Sequence, residues 1–235
     1  MKRALLDDLL AAQANGDPVA MVTRLPTGGQ ALVGLAGAQG DLRLDDDALA
    51  AVRVAIAADR STTLQAAAGR LFVHVFNPPL RLIVVGAVHI AEPLSRMAAL
   101  ADFGVTIVDP RRAFTVRRPF EDLGVLEEWP DEALETMGLD HRTAVVSLAH
   151  DPKIDDPALA VALRSPAFYI GALGSRKTHA ARLLRLRRAG FGDADLDRVH
   201  GPVGLAIGAL SPAEIAISIM AEVTQVRRQG AKERA

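Results

Sequence analysis

The sequence predicts an α/β protein: a Rossmann-type, mostly parallel sheet with helices on both faces, preceded by a small mixed α/β domain. Three observations predict it. After residue 80, short and continuously apolar runs alternate with amphipathic helical stretches, the pattern of parallel strands covered on both sides. The run Leu82-Ile83-Val84-Val85 passes through Gly86 into a helix, as the first strand-to-helix turn of a dinucleotide fold does. Asp109 closes the next apolar run twenty-three residues after Gly86, close to the spacing of the acidic residue that binds ribose hydroxyls in such folds.

Taken in order, Leu5, Leu6, Leu9 and Leu10 fall at helical spacing, and Asn15-Gly16-Asp17-Pro18 ends that helix. Val19 to Leu25 reads as a strand, Pro26-Thr27-Gly28-Gly29 as a turn and Gln30 to Leu35 as the returning strand. A helix follows from about Asp46 to Ala58. Thr62 to Ala67 and Arg70 to Phe76 then form a hairpin across Gly69, so antiparallel pairing is expected. Asn77-Pro78-Pro79 removes two backbone donors and fixes two φ angles, which marks a linker between domains 1–76 and 80–235. Beyond it the expected strands are Arg81 to Val85, Val105 to Asp109, a weaker one near Val125-Leu126, Ala144 to Ala149, and Phe168 to Leu173. The expected helices run from about His89 to Phe103, Asp131 to Met137, Asp155 to Leu163, Thr178 to Ala189 and Ser211 to Gln229.

With 235 residues the chain can bury a substantial core. Its 27 basic and 28 acidic residues nearly cancel, so there is no overall attraction to nucleic acid or to an anionic membrane. The absence of cysteine excludes disulfides, thiolate metal sites and cysteine nucleophiles, and it fits a reducing cytoplasm. No apolar stretch approaches the roughly 18 to 20 residues of a membrane helix, and Met1 to Asp8 lacks a signal-peptide core. A cytoplasmic location is expected. The six histidines never fall at i, i+4 with an acidic partner, so no protein-held metal site is expected.

Four segments carry candidate chemistry. The turn Gly86-Ala87-Val88-His89 has the first glycine of a phosphate-binding loop, but Val88 replaces the second and Ala91 the third, and a β-branched side chain at 88 crowds a pyrophosphate. Asp109 offers a carboxylate to a ribose and Arg111 a guanidinium to a phosphate; both also read as a cap and a solvated cation. Gly174-Ser175-Arg176-Lys177 ends a strand and opens a helix, so backbone N–H groups, a hydroxyl and two cations converge as an anion cradle, or equally as an ordinary capped helix. His150 and Asp151 leave the end of another strand, where an open parallel sheet binds ligands, and His150 is the candidate acid–base residue. The segment from His200 through Gly201, Gly204 and Gly208 needs unusual backbone, and Ser211-Pro212-Ala213-Glu214 is a capping box.

Together these segments resemble the xanthine dehydrogenase accessory factors, the XdhC and CoxF family. The resemblance is carried by Pro78 to Ala91, Val108-Asp109-Pro110-Arg111, His150-Asp151-Pro152-Lys153, Tyr169 to Lys177, and Gly201 to Leu205 with Ser211 to Ala216. Longer members have an amino-terminal Gly-Gly-Cys segment, which this chain lacks. The resemblance implies a non-catalytic maturation factor that binds molybdenum cofactor, as molybdopterin or its cytosine dinucleotide. It assists sulfuration of that cargo and inserts it into a molybdenum hydroxylase of the xanthine or carbon monoxide dehydrogenase type. The implied partners are the apo-enzyme and a cysteine desulfurase or other sulfur donor, since this chain has no thiol; a homodimer is also expected. The competing expectation is an NAD(P)-dependent oxidoreductase that uses Gly86 to Ala91 and Asp109, with His150 as acid or base.

Overall fold

The computed structural model describes residues 2–25, 27–112 and 123–233, so Pro26 of the expected first turn lies outside the described residues. The chain forms two compact units, Met1–Pro78 with Arg228–Ala235, and Pro79–Arg227.

The first unit opens with helix α1 (Arg3–Asn15), followed by strands β1 (Val19–Leu25), β2 (Gln30–Gly34) and β3 (Ala38–Gly40). Helix α2 (Asp46–Ala57) and the hairpin β4 (Thr62–Ala66) and β5 (Gly69–Phe76) complete it. The five strands pair antiparallel in the order β3-β2-β1-β5-β4. Ala20, Val22, Val33, Leu71 and Val73 on one face pack with Val52 and Ile56 of α2. Val19, Met21 and Leu32 on the other face meet Leu5 and Leu9 of α1. Coverage from both sides explains why β1 is a run of four buried residues and not an alternating one. The sequence gives no sign of the short β3, because its three residues are all exposed and too few to show a periodicity.

The second unit is a six-stranded parallel sheet in the order β11-β10-β9-β6-β7-β8. Its strands are β6 (Leu80–Val85), β7 (Phe103–Val108), β8 (Gly124–Leu126), β9 (Thr143–Ser147), β10 (Tyr169–Ala172) and β11 (Val199–His200). The helices are α3 (Ala91–Leu100), α4 (Pro130–Met137), α5 (Pro152–Arg164), α6 (Arg176–Arg188), the short α7 (Asp193–Leu196) and, as far as Arg227, α8 (Pro212–Glu233). Alternate residues of β6 serve the two layers. Leu82 and Val84 pack with Leu94 of α3 and Ile219 and Val223 of α8, while Ile83 and Val85 pack with Leu134 of α4, Leu159 of α5 and Leu186 of α6.

The strand order fixes where a ligand can bind. The chain moves outward from β6 through β7 to β8 and returns on the other side of β6 as β9, so the topological switch lies between β6 and β9. Val85 is level with Val108 on one side and Ser147 on the other, and Ala172 is level with Ser147. Gly86, Asp109, Leu148 and Leu173 therefore all leave the sheet along one edge.

The strands from β6 to β10 fall where the sequence predicts them, within two residues at each end. α5 starts three residues earlier than expected: Asp151 caps it, accepting from Lys153 N–H at 3.0 Å, and Pro152 takes its first turn, where no N–H is needed. α3 starts two residues later, because Val88 to Ile90 form a separate turn closed by Ala91 N–H to Val88 O. The Ser211 capping box forms as read, with Glu214 accepting from Ser211 N–H at 2.8 Å and Ser211 Oγ accepting from Glu214 N–H at 3.3 Å.

Gly86 has φ +105°, and a Cβ there would stand 2.8 Å from Ala149 N and 2.9 Å from Ala149 Cα. Both the conformation and the approach of the β9 turn require glycine. Gly86→Ala should lower stability by about 2 kcal/mol or more in chemical denaturation, by adding left-handed strain to a backbone clash.

Candidate ligand-binding site

The residues at the carboxyl edge of the parallel sheet divide into those locked by the protein and those left open. Asp109 belongs to the first group. It is fully buried, its Oδ2 accepting from Ala87 N–H at 2.8 Å and from Arg111 Nη2 at 2.8 Å. Its Oδ1 accepts from Arg111 N–H and Arg111 Nε, both at 2.9 Å. Four donors occupy a carboxylate that has about four acceptor positions. Burial raises the Asp109 carboxyl, but these bonds outweigh it and hold the group below the usual carboxylate range. Arg111 is in turn held above its ordinary value, first by its bonds to Asp109.

This lock bears directly on two residues singled out from the sequence. Asp109, expected to meet a ribose, has no open lone pair, and Ala87 N–H, one of the amides a dinucleotide pyrophosphate approaches, is already donating to it. Val88 is partly buried against the core that α3 and α8 share. His89 is exposed in the turn after it. The Gly86 turn is thus tied to the end of β7 through Ala87 and Asp109.

The edge between β9 and α5 carries charge. His150 is exposed with φ +60°, a left-handed conformation uncommon outside glycine that is found at sites where the backbone is over-determined. Behind it Asp155 is buried and accepts from Ser147 Oγ at 2.5 Å, and Arg182 of α6, also buried, stands 3.8 Å away. Burial pushes the Asp155 carboxyl up, with Ser147, Arg182 and His150 offsetting part of that rise. Asp151 and Asp155 both support the charge of Arg111, so the ends of β7 and β9 share one electrostatic neighbourhood. Arg182 donates from Nη2 to Leu173 O at 2.8 Å, while its Nε and Nη1 are buried without an acceptor among the described residues.

The start of α6 is the open part of the edge. Ser175 caps the helix through Thr178 N–H at 3.1 Å, and Ser175, Arg176 and Lys177 are all exposed. The amides of Arg176 and Lys177 have no acceptor among the described residues, as expected at the first two positions of a helix. Gly174 lets the turn sit close to the helix, since a Cβ there would lie 3.1 Å from Thr178 Cβ. Free amides, the positive end of a thirteen-residue helix and two cations suit an anionic group.

Sequence reasoning missed Ser147, Asp155, Arg182 and Glu222. The last lies on α8 and accepts from Gly204 N–H at 2.8 Å and from the Tyr169 hydroxyl. A signal was available. Asp155 shares its helical phase with Ala158, Leu159 and Ala162, Arg182 with Leu186, and Glu222 with Ile215, Ser218 and Ile219. Each is a charge on the buried face of an amphipathic helix, where it needs a partner. Among the described residues no group of three or more potential metal ligands occurs, and no helix is long and apolar enough to cross a membrane.

The family described as the XdhC Rossmann domain matches residues 82–223. The chain is 31% identical over 157 residues to YqeB of Escherichia coli K12, covering 67% of this chain and 29% of that protein. It is 30% identical over 152 residues to the molybdenum cofactor insertion chaperone PaoD of the same organism, 65% of this chain and 42% of that one. A Bacillus subtilis 168 protein, a probable component of xanthine dehydrogenase by its name, is 30% identical over 160 residues, 68% of this chain and 46% of that one. The chain thus spans less than half the length of each of these relatives. A crystal structure described as a xanthine dehydrogenase of Bacillus halodurans superposes with a TM-score of 0.77 at 24% identity, over 99% of this chain and 69% of that one, which shows the shared fold.

Removing the Asp109 charge tests the joint. The folded carboxyl titrates below its unfolded value, near 3.9, so its stabilisation is complete above that pH and is lost as pH falls through the folded value. Asp109→Asn should cost about 2 to 4 kcal/mol at pH 7, because it leaves Arg111 and a backbone donor poorly matched. The gap to the native chain, read by urea denaturation, should narrow as pH drops below about 4.

Proposed function

The chain belongs to the XdhC Rossmann-domain family, and on that footing we propose that it is a maturation factor that binds molybdenum cofactor at the carboxyl edge of its parallel sheet and delivers it to a molybdenum hydroxylase. The observation that carries this proposal is the contrast along that edge. The Gly86 joint is filled by the protein's own Asp109 and Arg111, while the α6 terminus stays open with Ser175, Arg176 and Lys177 exposed. The name of the PaoD relative, a molybdenum cofactor insertion chaperone, supports the choice of cargo.

In this proposal the cofactor phosphate sits on the free amides of α6, with Arg176 and Lys177 supplying charge-assisted bonds. His150 and Asp151 border the same edge, and Gly86 to His89 with Asp109 and Arg111 shape its wall without contributing ligand bonds of their own. The cargo is molybdopterin or its cytosine dinucleotide, and the receiving enzyme is of the xanthine or carbon monoxide dehydrogenase type. Because the chain contains no cysteine, the sulfur for a sulfido ligand comes from a partner such as a cysteine desulfurase. The alternative of an NAD(P)-dependent oxidoreductase has less support, since the carboxylate and the turn amide that it needs are bonded to each other.

Full-length protein mixed with isolated molybdenum cofactor under anaerobic conditions should retain molybdenum through gel filtration, and titration with NADH or NADPH should give no comparable binding. Arg176→Ala with Lys177→Ala should weaken retention tenfold or more while the thermal midpoint stays within about 2 °C, because both side chains are exposed. Undiminished affinity in that variant would reduce the Gly174 turn to a helix cap. Tight binding of a reduced nicotinamide without cofactor retention would overturn the assignment.

A further inference from the structure

A second polar cluster lies on the other face of the sheet, among side chains that α3 and α8 cover. Glu222 Oε2 accepts from Tyr169 and Gly204, and Glu222 Oε1 lies 3.4 Å from Nδ1 of His200, the last residue of β11. Burial pushes Glu222 up, yet His200, Tyr169 and Gly204 together hold it below the usual range, so it is an anion at neutral pH. Burial, and then Glu222, push the Tyr169 phenol far up, so it remains a protonated donor. The His200 ring lies against the Tyr169 ring with centroids 4.7 Å apart and planes 22° apart.

This arrangement orients an imidazole and leaves one of its nitrogens unused. A carboxylate can only accept, so in the neutral ring the proton sits on Nδ1 and Nε2 is an acceptor. No described group meets Nε2, and the side chain is 30% exposed. The next residue, Gly201, packs against the imidazole of His179 in the first turns of α6. β10 and β11 are neighbours in the sheet, about 4.8 Å apart. The end of β11 and the first turns of α6 thus meet at Gly201 and His179.

We propose that His200 is a ligand-contacting residue whose Nε2 accepts a hydrogen bond from the N–H edge of a planar, pterin-class heterocycle, with Glu222 and Tyr169 as positioning residues. This rests on the cofactor assignment above and adds the atom that meets the pterin. A purely structural staple does not need the imidazole, since Tyr169 and Gly204 already bind Glu222. The groups facing the ring are Glu222 from α8 and Tyr169 from β10, with His179 of α6 against the neighbouring residue.

The test is a calorimetric titration of the full chain with pterin (2-amino-4-oxopteridine) at pH 7.5. His200→Ala should bind about tenfold more weakly than the native chain, the worth of one hydrogen bond. His200→Gln, which keeps a side-chain acceptor, should recover most of the affinity; thermal unfolding checks that each variant folds. Undiminished affinity in His200→Ala, or no recovery in His200→Gln, overturns the assignment of His200. Loss of molybdenum cofactor retention by the native chain overturns instead the assignment on which it rests.

Discussion

The buried Asp109 carboxylate is the interaction around which the ligand edge is built. It bonds the turn after β6 through Ala87 and the chain after β7 through Arg111, fixing two adjacent strand ends to each other. Gly86 then allows the β9 turn to come within van der Waals distance on the other side. Three of the six parallel strands thus end in one rigid joint at the topological switch, the place where a dinucleotide fold usually keeps an open crevice. A buried carboxylate is costly to desolvate, and four donors are what make this one tolerable. The same four bonds fill the acceptor positions of the carboxylate, so one set of contacts ties the strand ends together and occupies the group.

What remains available lies on either side of the joint. On the α5 and α6 side are the open helix terminus and the buried Asp155–Arg182 pair; on the α3 and α8 side is the oriented His200. In the proposed binding mode a phosphorylated heterocycle runs from the α6 amides toward the β11 end.

Much of the fold was legible because its signals are local. Four apolar runs, the glycine turns after two of them and the double proline at residues 78 and 79 give the strands, the parallel sheet and the change of pattern. β11 was not legible, since a two-residue strand carries no periodicity, and its pairing with β10 is decided by neighbours far away in sequence. The site was legible in its turns and not in its bonds. Spacing could place Asp109 at the right strand end, but only tertiary structure shows that Ala87 and Arg111 consume its lone pairs. Asp155 and Asp156 look alike in sequence; helical phase buries the first against Ser147 and sends the second outward to Arg185. Glu222 was hidden in the same way inside an apolar helix face.

Transfer of cargo is the direct test of the proposed role. The chain, loaded with isolated molybdenum cofactor and freed of excess, would be mixed with an apo molybdenum hydroxylase from the same source, and the enzyme's activity followed against an equal amount of free cofactor. The account predicts that the loaded chain restores activity faster than free cofactor and emerges without molybdenum. Restoration no faster than from free cofactor, or a chain that keeps its molybdenum in the presence of the apo-enzyme, would contradict it.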